Sequence, residues 1–289
     1  MRLVNTTDYC EKIFGMEKTI ELMACAGFDG LDFAAYGLNR DDYTLNNSDY
    51  LKTVELWKKK SEEFNIPFVQ AHAPTPSSDN DEEFNKIMRC RIIKCLEISS
   101  LLGIEKVVVH PMQHLTYNTN IEKLFELNMD FYRSLIPYCE KFNVKIAIEN
   151  MYQFDKNRNV CVDSVCAAPQ EFVKYVDTLD SKWITACLDI GHVGLCGREA
   201  FDVIKYMGAN RITALHVHDN DYKGDFHSLP CLYKINWDKV CAALKEIGYK
   251  GDFTYEARNF LTNYDVEFIP TALKFMHDTG RYLISKIEK

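Results

Sequence analysis

Seven acidic or histidine residues recur along the chain at near-constant spacing, and each closes a short apolar run. The successive gaps are 40, 38, 39, 40, 27 and 40 residues over the set Asp32, His72, His110, Glu149, Asp189, His216 and Glu256. Carboxylates and imidazoles bind divalent metal ions, and they also carry protons in acid–base catalysis. The pattern therefore predicts one site where residues distant in sequence converge on a metal ion.

Four of these residues form a candidate ligand set of three carboxylates and one imidazole: Glu149, Asp189, His216 and Glu256. Oxygen ligands with one nitrogen suit Mn, Mg or Co, and Zn is compatible too. A divalent metal ion is therefore the expected cofactor, and no organic cofactor is expected. Three carboxylates held together without a cation would repel one another, which argues against a barrel that only binds a partner. A barrel that only binds a partner nevertheless stays open as a hypothesis, because a fold alone does not fix function.

Additional metal-binding candidates lie in the segments QAHAPT, VVVHPM, LDIGH and DFH: His72, His110, His192, Asp225 and His227. In LHVHDN, His216 and His218 point to the same side of a strand because side chains alternate. We expect His216 to bind the metal ion and His218 to contact the substrate or to support a ligand. Asp32 could bind substrate, cap a helix or form a salt bridge.

The apolar runs that carry these residues predict the elements that position them. Runs of four to eight residues rich in Val, Ile and Phe are typical of buried parallel strands. The runs are GFDGLDF, IPFVQAH, EKVVVH, VKIAIE, ITACLD, ITALH and GDFTYE. Helical patterns between them predict helices over 16–25, 49–64, 82–102, 121–142, 169–179, 200–207, 237–247 and 266–284.

This alternation predicts an α/β fold, a (β/α)8 TIM barrel that spans residues 1–289 as one domain. Polar residues at the carboxyl ends of many strands are how such a barrel builds its site. The least supported strand is the first, over 2–5, which carries no ligand. The long polar loops over 37–47 and 151–168 are candidate specificity loops or lids over the barrel mouth.

Composition limits the function classes. The chain has 289 residues, 47% of them hydrophobic, and a formal net charge of −8, so a nucleic-acid partner is not expected. Eleven cysteines without a CxxC pair indicate reduced thiols and a cytoplasmic location. We expect no signal peptide and no membrane association, because no apolar stretch approaches spanning length. Barrels of this size often pair, so a homo-oligomer is compatible with the sequence.

The motifs HAP, VVHP, IEN, LDIGH, HVHD with a following DFH, and YEA together resemble the xylose-isomerase-like barrel superfamily. That superfamily holds sugar isomerases, ketose 3-epimerases and endonuclease IV. The resemblance implies an epimerase-type metal site at Glu149, Asp189, His216 and Glu256. An endonuclease-type site with three zinc ions would have nine ligands, and all nine residue types are present: His72, His110, Glu149, Asp189, His192, His216, Asp225, His227 and Glu256.

The preferred hypothesis is a metal-dependent isomerase or epimerase of a sugar or sugar phosphate. The ion would hold two oxygens of a ketose and stabilise an enediolate, while Glu149 and Glu256 act from opposite faces. One of these catalytic residues removes a proton and the other returns one. The candidate substrate-binding residues are His72, His192, His218 and Arg258. A small sugar is therefore the expected partner, and its identity stays open.

The alternative hypothesis is an endonuclease IV-like enzyme that hydrolyses a phosphodiester at abasic DNA. It needs basic loops and intercalating side chains facing the duplex. The loop after the second strand offers Tyr36, Leu38 and Arg40, but it also carries Asp41 and Asp42. This mixed charge favours the sugar enzyme.

Overall fold

The computed structural model describes residues 1–289, and it contains ten strands, eight of which form one parallel sheet. The strands are β1 (Leu3–Thr6), β2 (Gly30–Ala34), β3 (Phe68–His72), β4 (Lys106–Val109), β5 (Lys145–Glu149), β6 (Tyr152–Asp155), β7 (Val160–Asp163), β8 (Ile184–Asp189), β9 (Ile212–His216) and β10 (Phe253–Tyr255). The parallel strands follow the order β10-β1-β2-β3-β4-β5-β8-β9. The remaining pair, β6 and β7, forms an antiparallel hairpin.

The sheet closes on itself between β9 and β10. The backbone N–H of Val217 donates to the carbonyl of Thr254 at 2.9 Å, and the N–H of Glu256 donates to the carbonyl of Val217 at 3.2 Å. The predicted first strand is present as β1 and pairs with both β10 and β2. The predicted (β/α)8 barrel is therefore confirmed.

The helices are α1 (Asp8–Phe14), α2 (Met16–Ala26), α3 (Tyr50–Glu63), α4 (Glu82–Leu102), α5 (Ile121–Phe142), α6 (Pro169–Leu179), α7 (Ile190–Leu195), α8 (Ala200–Met207), α9 (Trp237–Glu246), α10 (Arg258–Leu261) and α11 (Ile269–Glu288). The predicted bounds of α4, α5, α6 and α8 are confirmed. The last predicted helix starts later than expected, because Val266–Phe268 forms a separate 3-10 turn. None of the helices is both long enough and apolar enough to cross a bilayer.

Two apolar clusters hold the barrel together. The larger one lies between the strands and the surrounding helices, where Phe33 packs edge-on against Trp57 and Phe68. The smaller one consists of four buried residues: Val108, Ala147, Cys187 and Ala214. Each of these four precedes a predicted site residue by two positions on β4, β5, β8 or β9. Side chains two apart share one face of a strand, so the small cluster underlies the site.

Two departures from the predicted elements affect the region around the site. The segment over 151–168, expected to be an irregular loop, contains the β6–β7 hairpin. The short helices α1, α7 and α10 were not predicted, and α7 follows β8 without an intervening loop. All eleven cysteines are free thiols.

Candidate metal centre

The four predicted ligands meet at the carboxyl end of the barrel. Glu149, Asp189 and His216 are the last residues of β5, β8 and β9, and Glu256 directly follows β10. One donor atom from each lies within 4.8 Å of the others. The Nδ1 atom of His216 is 3.1 Å from Glu149 Oε1, 3.4 Å from Glu256 Oε2 and 3.9 Å from Asp189 Oδ2. All four side chains are buried, so the negative charge of the three carboxylates needs a cation among them.

Two hydrogen bonds of Asn150 link the ends of β5 and β8 and so fix two of these predicted ligands. The side-chain oxygen of Asn150 accepts from the N–H of Asp189 at 2.8 Å, and its amide donates to the carbonyl of Asp189 at 3.0 Å. Asp189 also caps α7, because its Oδ1 accepts from the N–H of His192 at 2.7 Å. The strand end, the cap and the neighbouring histidine are therefore held as one unit.

Three histidines are oriented by backbone carbonyls. The Nδ1 atoms of His72, His192 and His227 lie 2.7, 2.9 and 2.9 Å from the carbonyl oxygens of Ala73, Asn150 and Glu256, respectively. A carbonyl can only accept, so each Nδ1 carries a hydrogen, and in the neutral ring Nε2 is then the nitrogen whose lone pair can bind an ion. Histidines that bind metal ions commonly donate their other N–H in this way. These three residues therefore fit a metal centre.

Besides a group of His72, His216 and Glu256, two further groups of possible ligands adjoin the central four. The first consists of His72, His110 and Glu149, with Glu149 Oε2 lying 3.1 Å from His110 Nε2 and 3.4 Å from His72 Nε2. The second consists of His192, His218, Asp225 and His227, in which His227 Nε2 lies 2.9 Å from Asp225 Oδ2. The nine residues of the endonuclease-type set thus fall into three neighbouring groups.

The electrostatics of the centre favour ionised carboxylates. Burial opposes the ionisation of Glu149, but the nearby His216 and His110 outweigh it and hold its pKa well below the ordinary value. Burial also opposes the ionisation of Glu256, yet His216 and His227 lower its pKa to about 2. Burial lowers the pKa of His227, but Glu256 and Asp225 raise it to about 9. A divalent ion would supply positive charge to the same carboxylates, so ion binding and histidine protonation compete.

A cavity of about 560 Å³ opens above the centre. Glu149 and Glu256 both line it, and only three of its 13 lining residues are hydrophobic. This volume lies within the range of about 300–1,000 Å³ that is typical of small-molecule sites. A polar lining of this kind can offer hydrogen bonds to several hydroxyl groups of one small molecule.

Several lining residues were not recognised from the sequence as parts of this cavity. The hydroxyl of Tyr36 donates to Glu256 Oε1 at 3.1 Å, and that of Tyr152 donates to Asp225 Oδ2 at 3.0 Å. Gln113 also lines the cavity, from the loop after β4. No sequence motif assigned these three residues to the cavity, because they lie in segments between the barrel strands whose paths depend on the whole barrel.

The predicted substrate contacts separate into two kinds. His192 and Arg258 line the cavity, and Arg258 also pairs with Asp8 at 3.0 Å. His218, expected among the substrate contacts, is fully buried, and its Nε2 lies 3.0 Å from Asp189 Oδ1. His72 is likewise buried and turns its Nε2 toward Glu149. His72 and His218 therefore touch ligand carboxylates, and neither lines the cavity.

Asp32 lies apart from the four central donors. It is fully buried on β2, and its nearest positively chargeable atom is His216 Nε2, 4.0 Å from its Oδ2. Burial raises the pKa of Asp32 to about 6, although His216 and His72 act in the opposite direction. The structure therefore gives Asp32 neither of two predicted roles, since it touches no substrate cavity and caps no helix.

Comparisons with known proteins agree with this architecture. Residues 20–276 match the family described as the xylose isomerase-like TIM barrel. The uncharacterized protein MJ1311 of Methanocaldococcus jannaschii is 28% identical over 215 residues, which cover 72% of this chain and 70% of that protein.

Two solved structures share the fold at low sequence identity. A D-psicose 3-epimerase, in a crystal structure obtained in the presence of D-fructose, has a TM-score of 0.76 at 15% identity, covering 98% of this chain and 99% of that one. The IOLI protein with a bound zinc atom has a TM-score of 0.69 at 18% identity, covering 99% and 98%. Because the family match extends over residues 20–276, this chain belongs to the xylose isomerase-like TIM barrel family.

Proposed function

We propose that the chain is a divalent-metal-dependent isomerase or epimerase of a sugar or sugar phosphate. One observation carries the proposal: Glu149, Asp189, His216 and Glu256 form a buried donor group at the floor of a polar cavity large enough for a small sugar. The likeness of the fold to a D-psicose 3-epimerase supports the same substrate class. The bound zinc atom of the IOLI protein supports a metal ion as the cofactor of a chain with this fold.

The chemistry divides between the ion and the protein. A divalent ion held by the four donors would neutralise negative charge on two adjacent oxygens of a ketose. Glu149 ends β5 and Glu256 follows β10, so they come from well-separated strands of the ring, and both line the cavity. They can therefore reach one carbon from two sides, so that one removes a proton and the other returns one.

The remaining lining residues position the substrate. Tyr36 donates a hydrogen bond to Glu256, which holds that carboxylate in one orientation. His192 and His227 also line the cavity, and their imidazoles can contact hydroxyl groups. Arg258 lies at the same cavity and suits a hydroxyl, a carboxylate or a phosphate.

The decisive experiment is proton exchange in deuterated water. Ketoses, free and phosphorylated, are incubated with the protein and Mn²⁺, and loss of the C–H signal next to the carbonyl is followed by NMR. We expect exchange with the wild type and its loss in Glu149→Gln and Glu256→Gln. Glu199→Gln, which changes an exposed carboxylate outside the cavity, is the matched control. The absence of exchange with every ketose would contradict the proposal.

A second candidate function is endonuclease IV-like cleavage at abasic DNA. It is favoured by one observation, the arrangement of nine possible ligands in three neighbouring groups. Metal analysis separates the candidates, because this alternative needs three zinc ions per chain, whereas the sugar enzyme needs about one divalent ion. Incision of an abasic duplex that is lost in Glu149→Gln would establish the nuclease over the sugar enzyme.

A further inference from the structure

His216 differs from the other histidines of the metal centre in how its ring is placed. Its Nδ1 faces the carboxylates of Glu149 and Glu256 at 3.1 and 3.4 Å, so this nitrogen is the donor available to an ion. Its Nε2 faces away from them, toward Asp32 Oδ2 at 4.0 Å. His72, His192 and His227 show the opposite arrangement, with Nδ1 held by a carbonyl.

Asp32 is a buried carboxylate without a hydrogen-bond partner in the protein. Neither of its oxygens is paired, and Nε2 of His216 is also unpaired. His216 supplies the only histidine, lysine or arginine nitrogen within 4.0 Å of the Asp32 carboxylate. Because burying an unpaired charge is strongly unfavourable, a carboxylate at this position needs a compensating interaction.

The position of Asp32 excludes a direct role as a ligand of the central ion. It lies on β2, where it pairs with Gln70 of β3, and the imidazole of His216 stands between it and the other carboxylates. It is also absent from the lining of the cavity, so it does not meet a substrate. The neutral amide of Gln70 lies beside Asp32 on the neighbouring strand, and the outer nitrogen of His216 is the one chargeable partner within reach.

We propose that Asp32 is a positioning residue that accepts the Nε2 proton of His216 and so keeps the Nδ1 lone pair directed at the ion. The inference rests on the metal centre of the proposed function. A movement of about 1 Å brings the 4.0 Å separation into hydrogen-bond range. A carboxylate is a stronger acceptor than the carbonyls that hold the other three histidines, and it increases the basicity of the ligand nitrogen.

The test compares Asp32→Asn with Thr254→Val, which removes another buried, unpaired polar group on a neighbouring part of the barrel wall. Affinity for Zn²⁺ is measured by competition with a chromophoric chelator. We expect Asp32→Asn to bind Zn²⁺ about 10–100-fold more weakly than the wild type, the usual effect of losing such a partner. Thr254→Val is expected to stay within about twofold of the wild type, since it leaves the His216 partner in place.

Thermal melting of the metal-free proteins separates positioning from structural support. Asp32→Asn removes a buried, unpaired charge, so its melting temperature is expected to equal or exceed that of the wild type. Equal Zn²⁺ affinities of wild type and Asp32→Asn would overturn the inference and leave the proposed function intact. A wild type that binds no divalent ion would overturn both.

A measurement on the wild type tests the proposed role of Asp32 even if Asp32→Asn does not fold. In Zn²⁺-loaded protein labelled with ¹⁵N-histidine, long-range ¹H–¹⁵N spectra report which ring nitrogen of His216 carries the proton. We expect the proton on Nε2 and the ion on Nδ1, with the Nε2 proton protected from exchange. An ion on Nε2, or an Nε2 proton that exchanges rapidly with water, would contradict a role for Asp32.

Discussion

The hydrogen-bond acceptors around each imidazole decide which ring nitrogen of each histidine can bind an ion. The apolar runs predicted that the regularly spaced histidines and carboxylates lie at strand ends, because the position of a strand's last residue follows from its apolar run. The sequence could not predict which ring nitrogen faces the ion, since this depends on the carbonyls of Ala73, Asn150 and Glu256. It also left two roles open for His218, because the orientation of that ring depends on contacts with Asp189 and Gly191.

At the residue scale, Tyr36→Phe tests the support of Glu256, a carboxylate proposed to be catalytic. The change removes the hydrogen bond to Glu256 and little else, since the ring is kept. A hydrogen bond to a charged group contributes about 1.5–3 kcal/mol, so we expect kcat for ketose exchange to fall at least about tenfold. Steady-state kinetics measure the change, and metal content measured in parallel is expected to be unaltered. An unchanged kcat would show that Tyr36 is dispensable.

Among the elements, the strands were predictable and the short connections were not. Runs such as VKIAIE and ITACLD have strand length and composition, and the residue two positions before each ligand is small and buried. The β6–β7 hairpin and α7 lack comparable periodicity, because a four-residue strand or a six-residue helix shows too few turns of a pattern. Their structure is set by contacts with the barrel mouth.

Helix α7 provides a test of packing beneath the metal centre. A β-carbon added at Gly191 would lie 2.0 Å from His218 Cε1, so alanine cannot fit unless the His218 ring moves. We expect Gly191→Ala to lower the free energy of unfolding by about 1–3 kcal/mol, as overpacking usually does. Urea denaturation measures it. Gly194→Ala in the same helix meets its nearest neighbour at 3.1 Å, and we expect this control to change stability much less.

Glu11 of α1 contacts Tyr43 in the segment after β2, and from its pKa we predict that stability depends on pH. Burial raises the pKa of Glu11 from 4.5 to about 7, although the hydrogen bond from Tyr43 acts in the opposite direction. Between these values the folded state holds a proton that the unfolded state has released, so stability falls as pH rises from 4.5 through 7. We expect Glu11→Gln to be more stable than the wild type at pH 8.

Thermal melts of wild type and Glu11→Gln at pH 4 and pH 8 measure this difference. At pH 4 the carboxyl group is protonated in the folded state and largely protonated in the unfolded state, so the two proteins are expected to melt together. A gap in melting temperature that is equally large at both pH values would contradict the prediction.

For the whole molecule, the centre ties together strands that are distant in sequence. Ligands from β5, β8, β9 and the residue after β10 surround one position, so an ion there binds the folded chain and has no equivalent site in the unfolded one. We propose that residues 1–289 unfold as one unit for this reason. The sequence showed these ligands only as a regular spacing, because their burial around one position depends on the closure of the barrel.

Divalent ions are therefore expected to stabilise the whole chain. At an ion concentration one hundred times the Kd, the gain is about 2.7 kcal/mol, which raises the melting temperature by roughly 5 °C. Scanning calorimetry with Mn²⁺ or Zn²⁺, then with excess chelator, measures the rise and its reversal. Glu149→Gln is expected to lose most of the rise, whereas an equal rise in that variant would place the ion elsewhere.

The β6–β7 hairpin begins three residues after Glu149 and returns to the barrel before α6, so it contributes no strand to the ring. Through Tyr152 it reaches Asp225 across the cavity and forms part of its roof. Residues can therefore be inserted or lost there without changing the register of the barrel. Relatives that act on different substrates are therefore expected to differ in the length and sequence of this hairpin, while the four residues of the candidate metal centre stay the same.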